Sequence, residues 1–174
     1  MSLLLTAFTT PTNTKVIADN AVPGLLPTPA VFTTPSSPLI DGNNAYIWSP
    51  NNESGQIVIF QTDFPISGLT INVAVALTAF YSFAANETAN VMAYLQVLDA
   101  SENIVTNTPL FIGPNSGNPD NVTNASGDAL LTGLSLGETA RIRVTATVTA
   151  PVTLPYEPAN TGRYLGEIIV RAIP

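Results

Sequence analysis

The side chains able to do chemistry in this chain are twelve carboxylates, five basic groups, five tyrosines and many hydroxyls; histidine and cysteine are absent. Losing histidine removes the commonest general base and metal ligand, and losing cysteine removes disulfides, thiolate metal sites and thiol catalysis. A catalytic site would have to rest on carboxylates, Ser/Thr, Tyr or the single lysine, Lys15. The nearest acid pairs, Asp99/Glu102 and Asp120/Asp128, sit in turn-rich segments, where acids cap and solvate loops rather than work as a glycosidase pair. Residues 133–137 (GLSLG) spell a nucleophile elbow around Ser135, but that motif needs a following helix and a histidine partner, and here a strand pattern follows. Residues 118–128 (NPDNVTNASGD) carry oxygen ligands suited to calcium without the EF-hand order or its closing glutamate. These features predict a chain that is not an enzyme and holds neither cofactor nor metal.

The remaining candidates are surfaces. Trp48 and Tyr156, aromatic residues in loop-like surroundings, raise the reading of a carbohydrate- or receptor-binding module. Only Lys15 and four arginines oppose twelve acids, for a net charge of −7, so nucleic acid and anionic membranes are not expected partners. Charged residues make up 10% of the chain, against about 25% in ordinary soluble domains. A surface this poor in charge points to burial against other proteins. No segment reaches the roughly 20 apolar residues of a membrane helix, and residues 1–8 (MSLLLTAF) are too short and lack the basic start of a signal peptide. Synthesis in the cytoplasm is therefore expected, with a final place on a spore surface or in a virion after cell lysis.

The elements that would carry such surfaces are strands. Residues 56–62 form a short apolar run, residues 69–78 (LTINVAVALT) alternate, and residues 89–98 set Val91, Ala93, Leu95 and Val97 on one face. Residues 141–149 (RIRVTATVT) alternate most cleanly, with Ile142, Val144, Ala146 and Val148 inward. Residues 163–173 make a last strand whose second face mixes Leu165 and Ile169 with charges. Turn clusters, among them residues 113–127, separate the runs. The pattern predicts an all-β, jelly-roll-type two-sheet sandwich over residues 43–174. Ahead of it, residues 1–42 read as an extended, Pro-rich yet apolar N-terminal arm.

The ending of the chain adds a resemblance. Residues 134–138 (LSLGE) lead into the strand at 141–148, and residues 162–173 close the chain. This resembles the end of tumour-necrosis-factor-like jelly rolls, found among spore-surface proteins of bacilli in exosporium filaments and appendage fibres; viral jelly rolls are worded similarly. The resemblance implies a self-assembling structural subunit. The expected partner is the protein itself, with other surface or virion structural proteins beside it. The arm would dock on a neighbouring copy through Leu3, Leu5, Phe8, Val16 and Ile17, and the last strand would add Leu165 and Ile169 to the contact. A bacteriophage or viral decoration, tail or capsid component is the alternative setting.

Overall fold

The computed structural model describes residues 2–21, 26–33, 46–113, 122–153 and 162–173. Every regular element among them is a strand: β1 (Ser2–Phe8), β2 (Thr14–Asp19), β3 (Thr28–Pro29), β4 (Val31–Phe32), β5 (Ile47–Trp48), β6 (Ile57–Ile66), β7 (Val75–Ala85), β8 (Thr88–Leu98), β9 (Ile104–Ile112), β10 (Thr123–Leu131), β11 (Thr139–Thr149) and β12 (Tyr164–Ala172). One sheet, here sheet A, runs β10-β7-β12-β5-β4 with β1 also paired to β12; the other, sheet B, runs β3-β2-β6-β11-β8-β9. From β5 onward successive strands cross between sheets at every step except the β8–β9 hairpin. The resulting orders, β5-β12-β7-β10 and β6-β11-β8-β9, define a jelly roll.

Each sheet is organised by one long central strand. In sheet B, β11 is paired along its length with β6 and β8. Its alternation drives Ile142, Val144, Ala146 and Val148 into the core, where all four are buried. In sheet A, β12 pairs with β7 over its whole length, and its other flank is shared end to end. Tyr164 faces Ile47 of β5, and Glu167 to Ala172 face Phe8 to Ser2 of β1. Aromatic rings fill the space between the sheets. Trp48 meets Phe60 edge-on, Phe60 stacks on Tyr164, and Tyr81 stacks with Phe83 and Phe111. The Tyr81 and Tyr164 hydroxyls bond to each other at 2.6 Å, which meets the polar requirement of two buried phenols.

The arm expected over residues 1–42 docks, in that reading, on a neighbouring copy. Residues 2–21 straddle the sandwich instead: β1 edges sheet A, a turn at residues 10–13 crosses over, and β2 edges sheet B. Asn13 holds that turn, its side chain donating to the Phe8 carbonyl at 2.8 Å and accepting from the Thr10 amide at 2.8 Å. Thr9 exchanges bonds with Gly166 of β12: its amide donates to the Gly166 carbonyl at 2.8 Å, and its hydroxyl accepts from the Gly166 amide at 3.0 Å. A Cβ on Gly166 would overlap the Tyr81 hydroxyl, so glycine is required at this crossing. The expected boundary at residues 42 and 43 lies outside the described residues.

Other expectations also shift. The strand expected at 69–78 begins only at Val75, because Asn72 takes a left-handed φ of 60° and its amide turns to the Leu134 carbonyl at 2.9 Å. The turn cluster expected at 113–127 ends early, since residues from Thr123 on belong to β10. In contrast, the strands at 89–98, 141–149 and 163–173 lie within or close to β8, β11 and β12.

Two outcomes test this architecture. Removing residues 2–10 strips one flank of β12 and its Thr9 bonds, so circular-dichroism melting is expected to show a transition lowered by tens of degrees or lost. Burial also pushes the Tyr81 and Tyr164 hydroxyls well above the ordinary tyrosine range. A raised folded-state value means the unfolded chain ionises first, so their stabilisation is intact below about pH 10 and lost as pH rises beyond it. Unfolding free energies from urea titrations should fall above pH 10 by up to about 1.4 kcal/mol per pH unit for each tyrosine, and the Tyr81→Phe/Tyr164→Phe double variant should flatten that fall.

Candidate functional site

Among the described residues the inner faces are consumed by the core, and the two outer faces, which differ in chemistry, carry the candidate sites. On sheet A, the cross-strand register sets Thr6, Ile169, Phe80 and Ser126 in one row. The row beside it holds Phe8, Glu167, Ser82 and Asn124, and the row on the other side holds Leu3, Arg171, Thr78 and Asp128. Phe80 is 48% exposed and Leu3 61%, so a central apolar group with a charged rim faces outward. Glu167 and Arg171 bracket Ile169 along β12 with opposite charges.

On sheet B the outer face is polar and cross-braced. Asp63 of β6 lies opposite Arg143 of β11, which grips its carboxylate through Nε at 2.7 Å and Nη2 at 2.8 Å. Arg141 adds Nη1 at 3.2 Å to the same carboxylate and donates Nε to Gln96 of β8 at 2.9 Å. Gln96 in turn donates to Asn107 of β9 at 3.0 Å. Four strands are thereby tied by one side-chain ladder. Burial, opposed by Asp63 and reinforced by Arg143, draws the Arg141 guanidinium below its ordinary range, though it stays charged. Beside Asp63 the β1–β2 turn docks on β6, the Asp63 amide donating to the Asn13 carbonyl at 3.0 Å. A depression of about 340 Å³ lies there, lined by Thr12, Asn13, Lys15, Gln61, Asp63 and Pro65.

The residues expected to make a subunit interface are scattered by this arrangement. Leu3 is exposed and Phe8 and Ile169 are half-buried, all three on the outer face of sheet A. Leu5 is partly buried and packs on the chain's own core, and Val16 is fully buried in it. Leu165 is buried as well, so neither it nor Val16 has surface left for a neighbour. Ile17 is 38% exposed on the outer side of β2, across the sandwich from Leu3.

The aromatic ligand site suggested by Trp48 is overturned. Trp48 is 1% exposed, and its indole N–H donates to Gln56 Oε1 at 3.0 Å. The Gln56 amide donates to both Asp19 carboxylate oxygens, at 2.8 and 2.7 Å, and Ser49 donates its hydroxyl to the same group. Asp19 is thus occupied in anchoring the β5–β6 connection to β2. Tyr156 lies outside the described residues. The oxygen-rich stretch at 118–128 is no loop throughout: Asn124, Ser126 and Asp128 lie on β10, while residues 118–121 are outside the described set. Asp99 serves its own turn, accepting from the Ser101 and Asn103 amides at 2.8 and 2.9 Å, and these contacts, the Asn103 side chain foremost, hold its carboxyl below the usual range. Ser135 caps a turn with Glu138, its amide donating to the carboxylate at 2.7 Å. Among the described residues no three acids gather as a metal site would require.

The topology defines a jelly-roll-type β-sandwich. No protein-family model matches the chain, and no curated protein matches it significantly. Among solved structures it is similar to the enzymatically active domain of tailspike protein 4 of bacteriophage CBA120, at 11% identity and a TM-score of 0.49, over 94% of this chain and 20% of that one. It is also similar to the CBM22-1–GH10 modules of Clostridium thermocellum xylanase 10B complexed with xylohexaose, at 10% identity and a TM-score of 0.39, over 97% of this chain and 26% of that one. The chain therefore spans about a fifth and a quarter of these neighbours. Likenesses at this level carry no function across.

The ladder's weight can be measured. Asp63→Asn removes the charge that separates two arginines, and a loss of about 1 kcal/mol is expected in urea unfolding at low salt. The loss should shrink as added salt screens the Arg141–Arg143 repulsion.

Proposed function

We propose that this protein is a non-enzymatic structural subunit that associates with copies of itself through the outer face of sheet A. The observation that carries the reading is the outward-facing group of exposed Phe80 and Leu3 with half-buried Ile169 and Phe8, set on sheet A and rimmed by Glu167 and Arg171. A two-fold axis passing near Ile169 would set Glu167 of each copy against Arg171 of the other, which makes the face self-complementary. The low charge content of the whole chain supports further contacts with neighbours. We place the assembly on a spore surface, in keeping with the resemblance of the C-terminal segment to spore jelly rolls; a virion shell or tail is the second setting.

Light scattering after size exclusion tests this directly. The native chain should run as a dimer or larger, and Phe80→Asp should shift it to a monomer that keeps the native β circular-dichroism spectrum, because Phe80 lies outside the core. Glu167→Arg should weaken association, and adding Arg171→Glu should restore it. A native chain that stays monomeric at millimolar concentration defeats the proposal.

A further inference from the structure

We infer that the depression at the β1–β2 turn and the ladder beside it bind a carboxylate-bearing saccharide. Three of the chain's five basic residues, Lys15, Arg141 and Arg143, stand on this one face. Against them are Asp63 and, reaching Arg141 from the β8–β9 turn, Glu102. The face thus gathers most of the cationic groups of a molecule of net charge −7, which favours a small anion here over the rest of the surface.

The chemistry is divided between the residues. Asp63 already accepts from both arginines, so it is a brace more than a free acid. Lys15 and Gln61 face each other across β2 and β6, and among the described residues their side chains make no hydrogen bond. The Lys15 ammonium suits a carboxylate, while the Gln61 amide and the Thr12 and Asn13 polar groups suit ring hydroxyls, which both give and accept hydrogen bonds. The depression, at about 340 Å³, lies at the lower end of the range of small-molecule sites. Further along the face, Tyr94 lies across β11 from Asp63, each of the two facing Arg143 in register. At a strand spacing of roughly 4.8 Å this puts an aromatic ring about 10 Å away, about two sugar units on, where it can stack against a third ring.

The site is on the sheet opposite to the proposed contact face, so it stands or falls separately from self-association. The test uses the full-length chain on an array of sialylated, uronate-containing and neutral oligosaccharides, followed by calorimetry with trigalacturonate and a neutral galactose trimer. Carboxylated glycans should bind, binding should weaken with salt, and Lys15→Gln should reduce affinity by about tenfold or more. Gln61→Ala should reduce it as well, and neither variant should move the melting temperature. Silence across all carboxylated glycans, equal binding of the neutral trimer, or affinity indifferent to both variants would overturn the assignment.

Discussion

A sandwich of two sheets has to satisfy the backbone along the flanks of its central strands, and in this protein that demand falls on β12. Its one flank is met by β7, but β5 is only two residues long and reaches Tyr164 alone. The remainder is supplied by β1, drawn in by the reciprocal bonds of Thr9 and Gly166. That crossing determines where the chain leaves sheet A, how the turn at Asn13 settles on β6, and therefore where β2 lies on sheet B. The depression beside Asp63 is a by-product of the same crossing, because two of its lining residues, Thr12 and Asn13, are turn residues.

Once the flanks are closed, the molecule offers two unlike surfaces. The alternation of β11 sends its aliphatic residues to the core and Arg141, Arg143 and four threonines to the outside. The outer side of sheet A has no equivalent ladder among the described residues and presents Phe80 and Ile169 in its place. The buried polar cluster of Asp19, Ser49, Gln56 and Trp48 takes no part in either surface. Its hydrogen bonds let a charged group sit near the core while tying two loops together.

Legibility in the sequence followed how local each constraint is. β11 could be read because strict alternation over nine residues is a one-strand signal. β9 and β10 could not: as edge strands they carry polar residues on both sides, and Gly127 in β10 looks like a turn residue. It is glycine because a Cβ there would strike the Leu110 backbone of β9, a condition visible only in three dimensions. Residues 69–74 show the reverse error, an alternating pattern overridden by a single backbone bond to Leu134. The jelly-roll class was legible from strand spacing and turns, but the candidate site was not. Asp63 and Arg143 are 80 residues apart, and only the β6–β11 register sets them opposite each other. Trp48 misled because its surroundings in sequence, rich in proline and asparagine, resemble an exposed loop.

The pairing of Ser2 with Ala172 has a bearing on how the molecule comes into being. β1 is synthesised well before the β12 that pairs with it. Until β12 is made, the leucines of β1 have no sheet to join, and closure of sheet A waits for that strand. Contacts so distant along the chain slow folding, and during that interval a nascent β1 is open to the β12 of a sister chain.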